Sequence, residues 1–185
     1  ITHTWTDRDV MLYALGVGCR PPEDLDFIYE GRGPKVLPTF AVIPGLRAMG
    51  SSMQRIDINL AALLHGEQSV VVHRPLPASA TVTVSGRIAN VWDKGKAAVI
   101  VFEGSATDDA GPLFDVMASL FVMGGGGWGG ERGPSGSPGA TAPDREPDLV
   151  VERETRPEQA AIYRLSGDMN PMHIDPDFAT MAGFP

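Results

Sequence analysis

Asp168 and His173 are the two side chains of this sequence best suited to moving protons together. They lie five positions apart in Tyr163-Arg164-Leu165-Ser166-Gly167-Asp168-Met169-Asn170-Pro171-Met172-His173-Ile174-Asp175. On a continuous helix that spacing would turn them well away from each other. Asn170-Pro171 forbids such a helix, because proline lacks an N–H and restricts the residue before it, and it favours a fixed turn. The turn can fold carboxylate and imidazole toward one point, and the Asn170 amide can hydrogen-bond a neighbour or a water. One carboxylate and one imidazole sharing a water can manage two proton movements in a single step. Taken alone, an Asp and a His at this spacing recur by chance and Asn-Pro is only a turn.

The surrounding pattern places this segment between two helices. Thr155 with Glu158 makes an N-terminal capping pattern, and Pro157 sits in the first turn, where a missing N–H is harmless. Ala160, Ala161, Tyr163, Arg164 and Leu165 continue the helix and Gly167 ends it. Asp175-Pro176 reads as the N-cap and first residue of a second helix, whose face carries Phe178, Ala179 and Met181. The apolar positions Tyr163, Leu165, Phe178 and Met181 have no sheet of their own in this stretch, although Leu149 to Arg153 has the composition of a strand.

Upstream, Thr6 and Asp9 form a capping pair ahead of Val10, Tyr13, Ala14 and Val17 at helical spacing, with Gly16 and Gly18 as the stop. Arg20 to Pro38 is rich in Pro, Gly and charge and reads as an extended loop. Pro44-Gly45 marks a turn within the apolar stretch Thr39 to Leu46. Ile56 to Leu64 reads as a short helix or an irregular stretch. Gln68 to His73, Ala80 to Trp92, Lys96 to Thr107 and Leu113 to Met123 are rich in β-formers, and Val82 and Val84 alternate with Thr81, Thr83 and Ser85. Asp93-Lys94-Gly95 and Asp108-Asp109-Ala110-Gly111 are turns, so the strands form an antiparallel meander. A helix on such a sheet is an α+β arrangement. Residues 124–148 open on Gly124-Gly125-Gly126-Gly127-Trp128-Gly129-Gly130 and continue rich in Pro, Ser and Gly, which is a linker composition with a glycine-rich start that can be ordered.

Composition narrows the function classes. Apolar residues make up 43% of the 185 positions, enough for a packed core. Fifteen basic residues against 23 acidic ones give a net charge of −8, which opposes nucleic-acid binding but leaves room for a local basic patch. Cys19 is the only cysteine, so no internal disulfide can form. No apolar run approaches a membrane span and no secretory signal is visible, although the chain begins at Ile1. The glycine run lacks a following Lys-Ser/Thr and is not a P-loop. His3, His73 and Cys19 read as structural.

The match Tyr-x-Leu-Ser-Gly-Asp-x-Asn-Pro-x-His-x-Asp-Pro resembles the hydratase-2 signature of the MaoC-like dehydratase family. Leu37-Pro38-Thr39-Phe40, Leu64-His65-Gly66-Glu67-Gln68, Arg74-Pro75-Leu76-Pro77, Asp93-Lys94-Gly95 and the Gly-Gly-Trp-Gly-Gly run resemble the hydratase part of peroxisomal multifunctional enzyme type 2 and its bacterial relatives. The resemblance covers nearly the whole chain. It implies a double hot-dog fold, two curved antiparallel sheets side by side, each with helical segments. The N-terminal hot-dog would span 1–123, the linker 124–148 and the start of the C-terminal catalytic hot-dog 149–185, breaking off after the start of its central helix. The second sheet, and a glycine N–H that helps hold the thioester oxygen, would then come from a longer chain or a partner chain.

The activity implied is (R)-specific, reversible hydration of trans-2-enoyl-CoA to (3R)-3-hydroxyacyl-CoA in fatty-acid or steroid side-chain β-oxidation, the work of a hydro-lyase. Water must lose a proton as it attacks C3, C2 must gain one, and the thioester oxygen must be stabilised as it takes on enolate charge. By resemblance Asp168 and His173 are the catalytic pair and Asn170 orders the site. His65, Gly66 and Lys94 contact the acyl-CoA from the N-terminal half, and Met169, Pro171 and Met172 bind substrate beside the pair. On their own residues, His65 also reads as a loop histidine capping a backbone group and Lys94 as a solvated hairpin residue. Coenzyme A is part of the substrate, so no separate cofactor and no metal are expected. Neither nucleic acid nor membrane is an expected partner. The expected assembly is a homodimer of double hot-dogs, in the cytoplasm of a bacterium or the peroxisome of a eukaryote. The competing class is a non-catalytic acyl-CoA-binding subunit. Such a chain has no need to keep Asp168, Asn170 and His173 together.

Overall fold

Val82 and Val84 are buried while Thr81, Thr83 and Ser85 are exposed, the period-two signature of a strand with one covered face. A computed structural model describes residues 1–53, 56, 58, 62–135, 143–181 and 183 and shows what covers that face. Strands β1 (Thr2–Trp5), β2 (Leu63–Val72), β3 (Ala80–Asp93), β4 (Ala97–Asp108) and β5 (Gly111–Met123) form one antiparallel sheet in the order β1-β3-β4-β5-β2. Helices α1 (Asp7–Gly16), α2 (Leu25–Ile28), α3 (Val42–Met53), α4 (Gln159–Arg164) and α5 (Pro176–Met181) complete an α+β architecture.

The meander is therefore three strands long, β3-β4-β5, and not four. The second strand pairs with β5, Val72 opposite Phe114, and not with β3. Residues 73–79 carry the chain from that edge back to β3, and the backbone oxygen of Pro77 accepts a bond from Trp5 Nε1 at 2.9 Å. This connection is too long and too proline-rich for a hairpin turn. The first strand, which sequence patterning missed, is only 4 residues long and closes the other edge. Of the ambiguous stretch 56–64, Leu63 and Leu64 begin β2; most of the remainder lies outside the described residues.

Pro44-Gly45 is not a turn: both residues lie in the first turn of α3. Proline is tolerated there because its N–H would have no helical partner anyway. Gly45 faces the sheet, where a Cβ would fall 2.8 Å from Val116 Cγ2. Gly86 of β3 and Gly104 of β4 stand opposite each other in register. A Cβ on Gly86 would lie 2.7 Å from the Ala48 backbone oxygen, and one on Gly104 would lie 3.4 Å from Ala48 Cβ. Ser52 Oγ donates to Gly86 O at 3.2 Å. Three glycines thus let α3 lie directly on the sheet. Two apolar clusters flank this contact. One gathers Trp5, Tyr13, Phe40, Ile43, Ala48, Val82, Val84 and Phe114, and the other gathers Met49, Ile100, Phe102, Leu120 and Val122.

Three further readings need correction. Leu149, Val150 and Val151 run as exposed coil, since strand composition makes no strand without an edge to pair with. Thr155 and Glu158 do not form a capping box; Arg156 N–H donates to Gln159 Oε1 at 3.3 Å, and α4 starts at Gln159. The loop 20–38 contains α2 and a 3-10 turn, Glu30–Arg32. Two capping predictions hold. Asp9 Oδ2 accepts from both Thr6 N and Thr6 Oγ1, at 2.8 and 2.9 Å, and Asp175 Oδ1 accepts from Asp177 N at 2.9 Å. Among the described residues no helix is long and apolar enough to cross a membrane.

Candidate active site

Gly16 and Tyr163 decide where the Asp168–His173 segment sits. A Cβ on Gly16 would lie 2.8 Å from Tyr163 Cα, so α4 lies flat on the end of α1. Gly16 is thus a packing residue. Gly18, at φ +105°, is the residue that stops the helix, with Cys19 N–H bonded to Ala14 O at 2.9 Å. The Tyr163 ring packs on Tyr13 at 5.9 Å between centroids and is half-buried against α1. Leu165 and Met181 remain exposed. Arg156 Nη2 bonds Leu15 O at 3.1 Å, satisfying a carbonyl at the C-terminal end of α1. Gly16→Ala should cost about 1–3 kcal/mol, because the clash is with backbone and cannot be relieved by a rotamer. Urea denaturation measures it; an unchanged midpoint would mean that α4 does not depend on this contact.

Past α4 the chain reverses at Gly167, whose φ of +139° other residues rarely adopt. Asp168 Oδ1 then accepts from Asn170 N at 3.3 Å, and Asn170 Oδ1 accepts from Met172 N at 3.1 Å. Asn170 is therefore the N-cap of a 3-10 turn, Pro171–His173, with Pro171 in the position that suits it. The turn brings Asp168 and His173 to the wall of one cleft of about 490 Å³. Gly16, Thr155, Arg156, Gln159, Tyr163 and Arg164 line the rest, with Pro157 and Ala160. Asn170, Met169, Pro171 and Met172 build the turn and are not among the lining residues.

The cleft's electrostatics are set by two arginines, one carboxylate and a histidine. Arg164 Nε is buried and unbonded among the described residues, so the cleft holds a shielded donor not yet used. Burial, then the neighbouring Tyr13 and the Asp168 charge, push the Tyr163 phenol up to about 12, so it stays protonated at neutral pH. Sequence reading gives Tyr163 and Arg164 only as helix residues within the signature stretch and does not single out Arg156. The signal for Tyr163 is its place in the signature, whereas nothing local marks Arg156. A slightly larger hollow of about 540 Å³ lies on the outer sheet face, but its Arg87 and Glu103 already pair with each other.

His65, Gly66 and Lys94 are not brought to this cleft. His65 is exposed at a β2 bulge and its Nε2 bonds Glu67 O at 3.1 Å, the capping role its residue type allowed. Gly66 makes room for Phe121, whose ring would lie 2.5 Å from a Cβ there. Lys94 sits in the β3–β4 turn, at the same end of the sheet as His65, and its Nζ donates to Pro134 O at 2.6 Å. The cleft instead abuts α1 and Ile43, at the start of α3. The two groups of residues are thus separated along α3, whose 12 residues span roughly 18 Å.

Asp93 organises the Lys94 end. It is 5% exposed, and its carboxylate accepts from the N–H groups of Gly95, Gly127 and Gly129, each at 2.8 Å. The glycine run is therefore ordered against the β3–β4 hairpin, and a Cβ on Gly126 would fall 2.5 Å from Ala97 O. These amide bonds hold the Asp93 carboxyl at about 2, against an ordinary 3.8. The clamp is complete above the ordinary value and is lost as pH falls toward 2. The Gly127 and Gly129 amide resonances should titrate together with a midpoint near 2; a midpoint near 3.8 would show that the clamp does not hold in solution.

Among the described residues no group of three or more His, Cys, Asp or Glu side chains could hold a metal ion. The MFE-2 hydratase 2 N-terminal domain matches residues 3–124 of the chain, and the MaoC like domain matches residues 139–185. The chain belongs to the MaoC-like hydratase 2 family. An enoyl-CoA hydratase of Mycobacterium tuberculosis is 42% identical to the chain, over 100% of the chain and 67% of that protein. Peroxisomal multifunctional enzyme type 2 of Mus musculus is 41% identical, over 98% of the chain and 26% of that protein. The crystal structure of a MaoC-like dehydratase from Phytophthora capsici superposes with a TM-score of 0.84 at 32% identity, covering 99% of the chain and 66% of its own. The chain thus spans about two thirds of the first and third of these relatives and about a quarter of the second.

Proposed function

We propose that the full-length protein adds water to trans-2-enoyl-CoA and gives (3R)-3-hydroxyacyl-CoA, reversibly, as a hydro-lyase of fatty-acid or steroid side-chain β-oxidation. The observation that carries this reading is the Asn170-capped turn, which sets Asp168 and His173 on one cleft wall. A water held between them loses a proton to one group as its oxygen bonds C3, and the other group delivers a proton to C2. The thioester oxygen takes the intervening enolate charge and is met by a backbone N–H of the second hot-dog. No cofactor beyond the coenzyme A of the substrate takes part.

The same reading makes residues 1–123 one complete hot-dog, 124–148 its connection and 149–185 the start of a second, catalytic one. His65, Gly66 and Lys94 serve the coenzyme A arm, while Met169, Pro171 and Met172 hold the reacting end against the pair. The separation of the two groups along α3 suits an elongated ligand that touches both. The assembly is a homodimer of double hot-dogs, located in the bacterial cytoplasm or, in a eukaryote, the peroxisome.

The test is loss of the conjugated-thioester absorbance of a trans-2-enoyl-CoA on mixing with the full-length protein, followed by chiral analysis. Addition from one water to one face should yield the (3R) alcohol. Predominantly (3S) product would sink the reading, and saturable binding without hydration would make the protein an acyl-CoA-binding subunit instead.

A further inference from the structure

Two stretches of the chain follow one pattern. Thr6, Asp9 and Gly18 have the spacing of Thr155, Glu158 and Gly167. Each stretch carries a helix, α1 or α4, and ends on a glycine at positive φ, +105° at Gly18 and +139° at Gly167. In this register Cys19 and Asp24 stand where Asp168 and His173 stand, and Pro22 stands where Pro171 does. The earlier turn has no imidazole, so it cannot share out protons as the later one can. Its carboxylate is committed elsewhere: Asp24 Oδ2 accepts from Arg20 N at 3.0 Å and from Arg153 Nη1 at 3.3 Å.

Arg153 lies on the approach to α4, and Arg156 makes a second tie one turn later. Its Nη2 donates to Leu15 O at 3.1 Å, at the C-terminal end of α1. That helix has no basic residue in its own last turn, so Arg156 supplies the positive charge that the free carbonyls there favour. Arg156 N–H is in turn bonded to Gln159 Oε1 at 3.3 Å, and Gln159 Nε2 would lie 3.4 Å from a Cβ on Gly18. The approach to α4 thus grips the end of α1 and the turn that follows it.

The helix needs such a grip. It is 6 residues long, none of them buried, and has no side-chain cap at its start. An isolated helix below about 12–15 residues is marginal in water. The bonds of Asp168 and Asn170 fix the shape of their turn, but they run within it and do not fix its place. Tyr163 on Gly16 holds α4 at one point and leaves it free to pivot there. A second point, upstream, sets its direction.

We propose that Arg153 and Arg156 are positioning residues for the hydration reaction: bound to Asp24 and to Leu15 O, they fix the direction of α4 and so the place of Asp168 and His173. The proposal rests on the hydratase reading of that pair. Neither Arg153 nor Asp24 lines the cleft, so both act through α4. Arg156 lines it, but with one nitrogen of its fork committed to the α1 carbonyl.

The experiment is steady-state hydration of a trans-2-enoyl-CoA by variants of the full-length protein. Arg156→Ala should lower kcat roughly 10- to 100-fold with KM little changed, because a small misplacement of reacting groups is that costly. Arg156→Lys should recover part of the loss, since an ammonium can still donate to a carbonyl. Arg153→Ala should lower kcat roughly 2- to 5-fold, the worth of a half-exposed ion pair. Asp24→Asn should match it, and the double variant should be no worse than either single one. A higher KM at unchanged kcat would make Arg156 a substrate contact, and a lower melting temperature at unchanged kcat would make the ties merely structural; either result overturns the proposal. If the wild type does not hydrate the thioester, the reaction reading fails by itself and the His173 imidazole resonances decide the latch. Resonances that shift in Arg156→Ala and return toward wild type in Arg156→Lys support it, and unchanged resonances overturn it.

Discussion

Asp168→Asn or His173→Gln in the full-length protein lowers kcat for enoyl-CoA hydration roughly 100- to 10,000-fold, with little change in KM. Each substitution keeps the approximate size of the side chain and removes its proton-transfer group. The amide introduced by Asp168→Asn would still offer an oxygen to the Asn170 N–H that now bonds Asp168 Oδ1, so the turn and the cleft should survive. Thermal melting of both variants should stay close to wild type, which separates lost chemistry from lost structure. Turnover within a few-fold of wild type in either variant would remove that residue from the mechanism.

The largest expected stability effect lies outside the cleft, in the contact of α3 with the sheet. Gly86→Val places a branched side chain where even a Cβ would be 2.7 Å from Ala48 O and 2.8 Å from Ala48 C. Helix and strand backbones must separate, and the Ser52 Oγ bond to Gly86 O goes with them. The cost should be about 3 kcal/mol or more, at the upper end for overpacking. That is a large part of a typical domain stability of roughly 5–15 kcal/mol. Gly50 makes the comparison informative: it lies in the same helix, and a Cβ there would meet nothing within 4 Å. Gly50→Ala should therefore stabilise by about 0.5–1 kcal/mol, the ordinary gain of alanine over glycine inside a helix. Urea unfolding of both variants checks the pair of predictions. A Gly86→Val protein as stable as wild type would show that α3 does not sit where the structure places it.

These two predictions draw on different levels of information. The Asp168–His173 pair was legible because its turn is local. Asn170, Pro171 and Gly167 bend the chain by their own backbone preferences, and the hydrogen bonds that hold the turn run between residues two apart. The strands β3, β4 and β5 were legible for a related reason, since alternating burial and short turns both act between near neighbours. The Thr6–Asp9 cap is local in the same sense.

What sequence reading misplaced depends on residues distant along the chain. Pro44-Gly45 has the composition of a turn, and only the glycine pair Gly86–Gly104 across β3 and β4 makes it the start of a helix laid on the sheet. Gly16 looks like a helix stop, and only Tyr163, nearly 150 residues later, makes it a packing surface. The clamp of Asp93 on Gly127 and Gly129 could not be read from spacing, because a carboxylate's choice among amide donors is settled by which loop the fold brings to it. The sequence by itself determined the local turns, the strand faces and the turn that carries Asp168 and His173. Tertiary structure alone decided against which helix the segment leading to that pair packs, through the missing Cβ of Gly16, and left His65 and Lys94 at the other end of the sheet. Close backbone approach depends on what lies opposite a glycine, and a single sequence does not name the opposite residue.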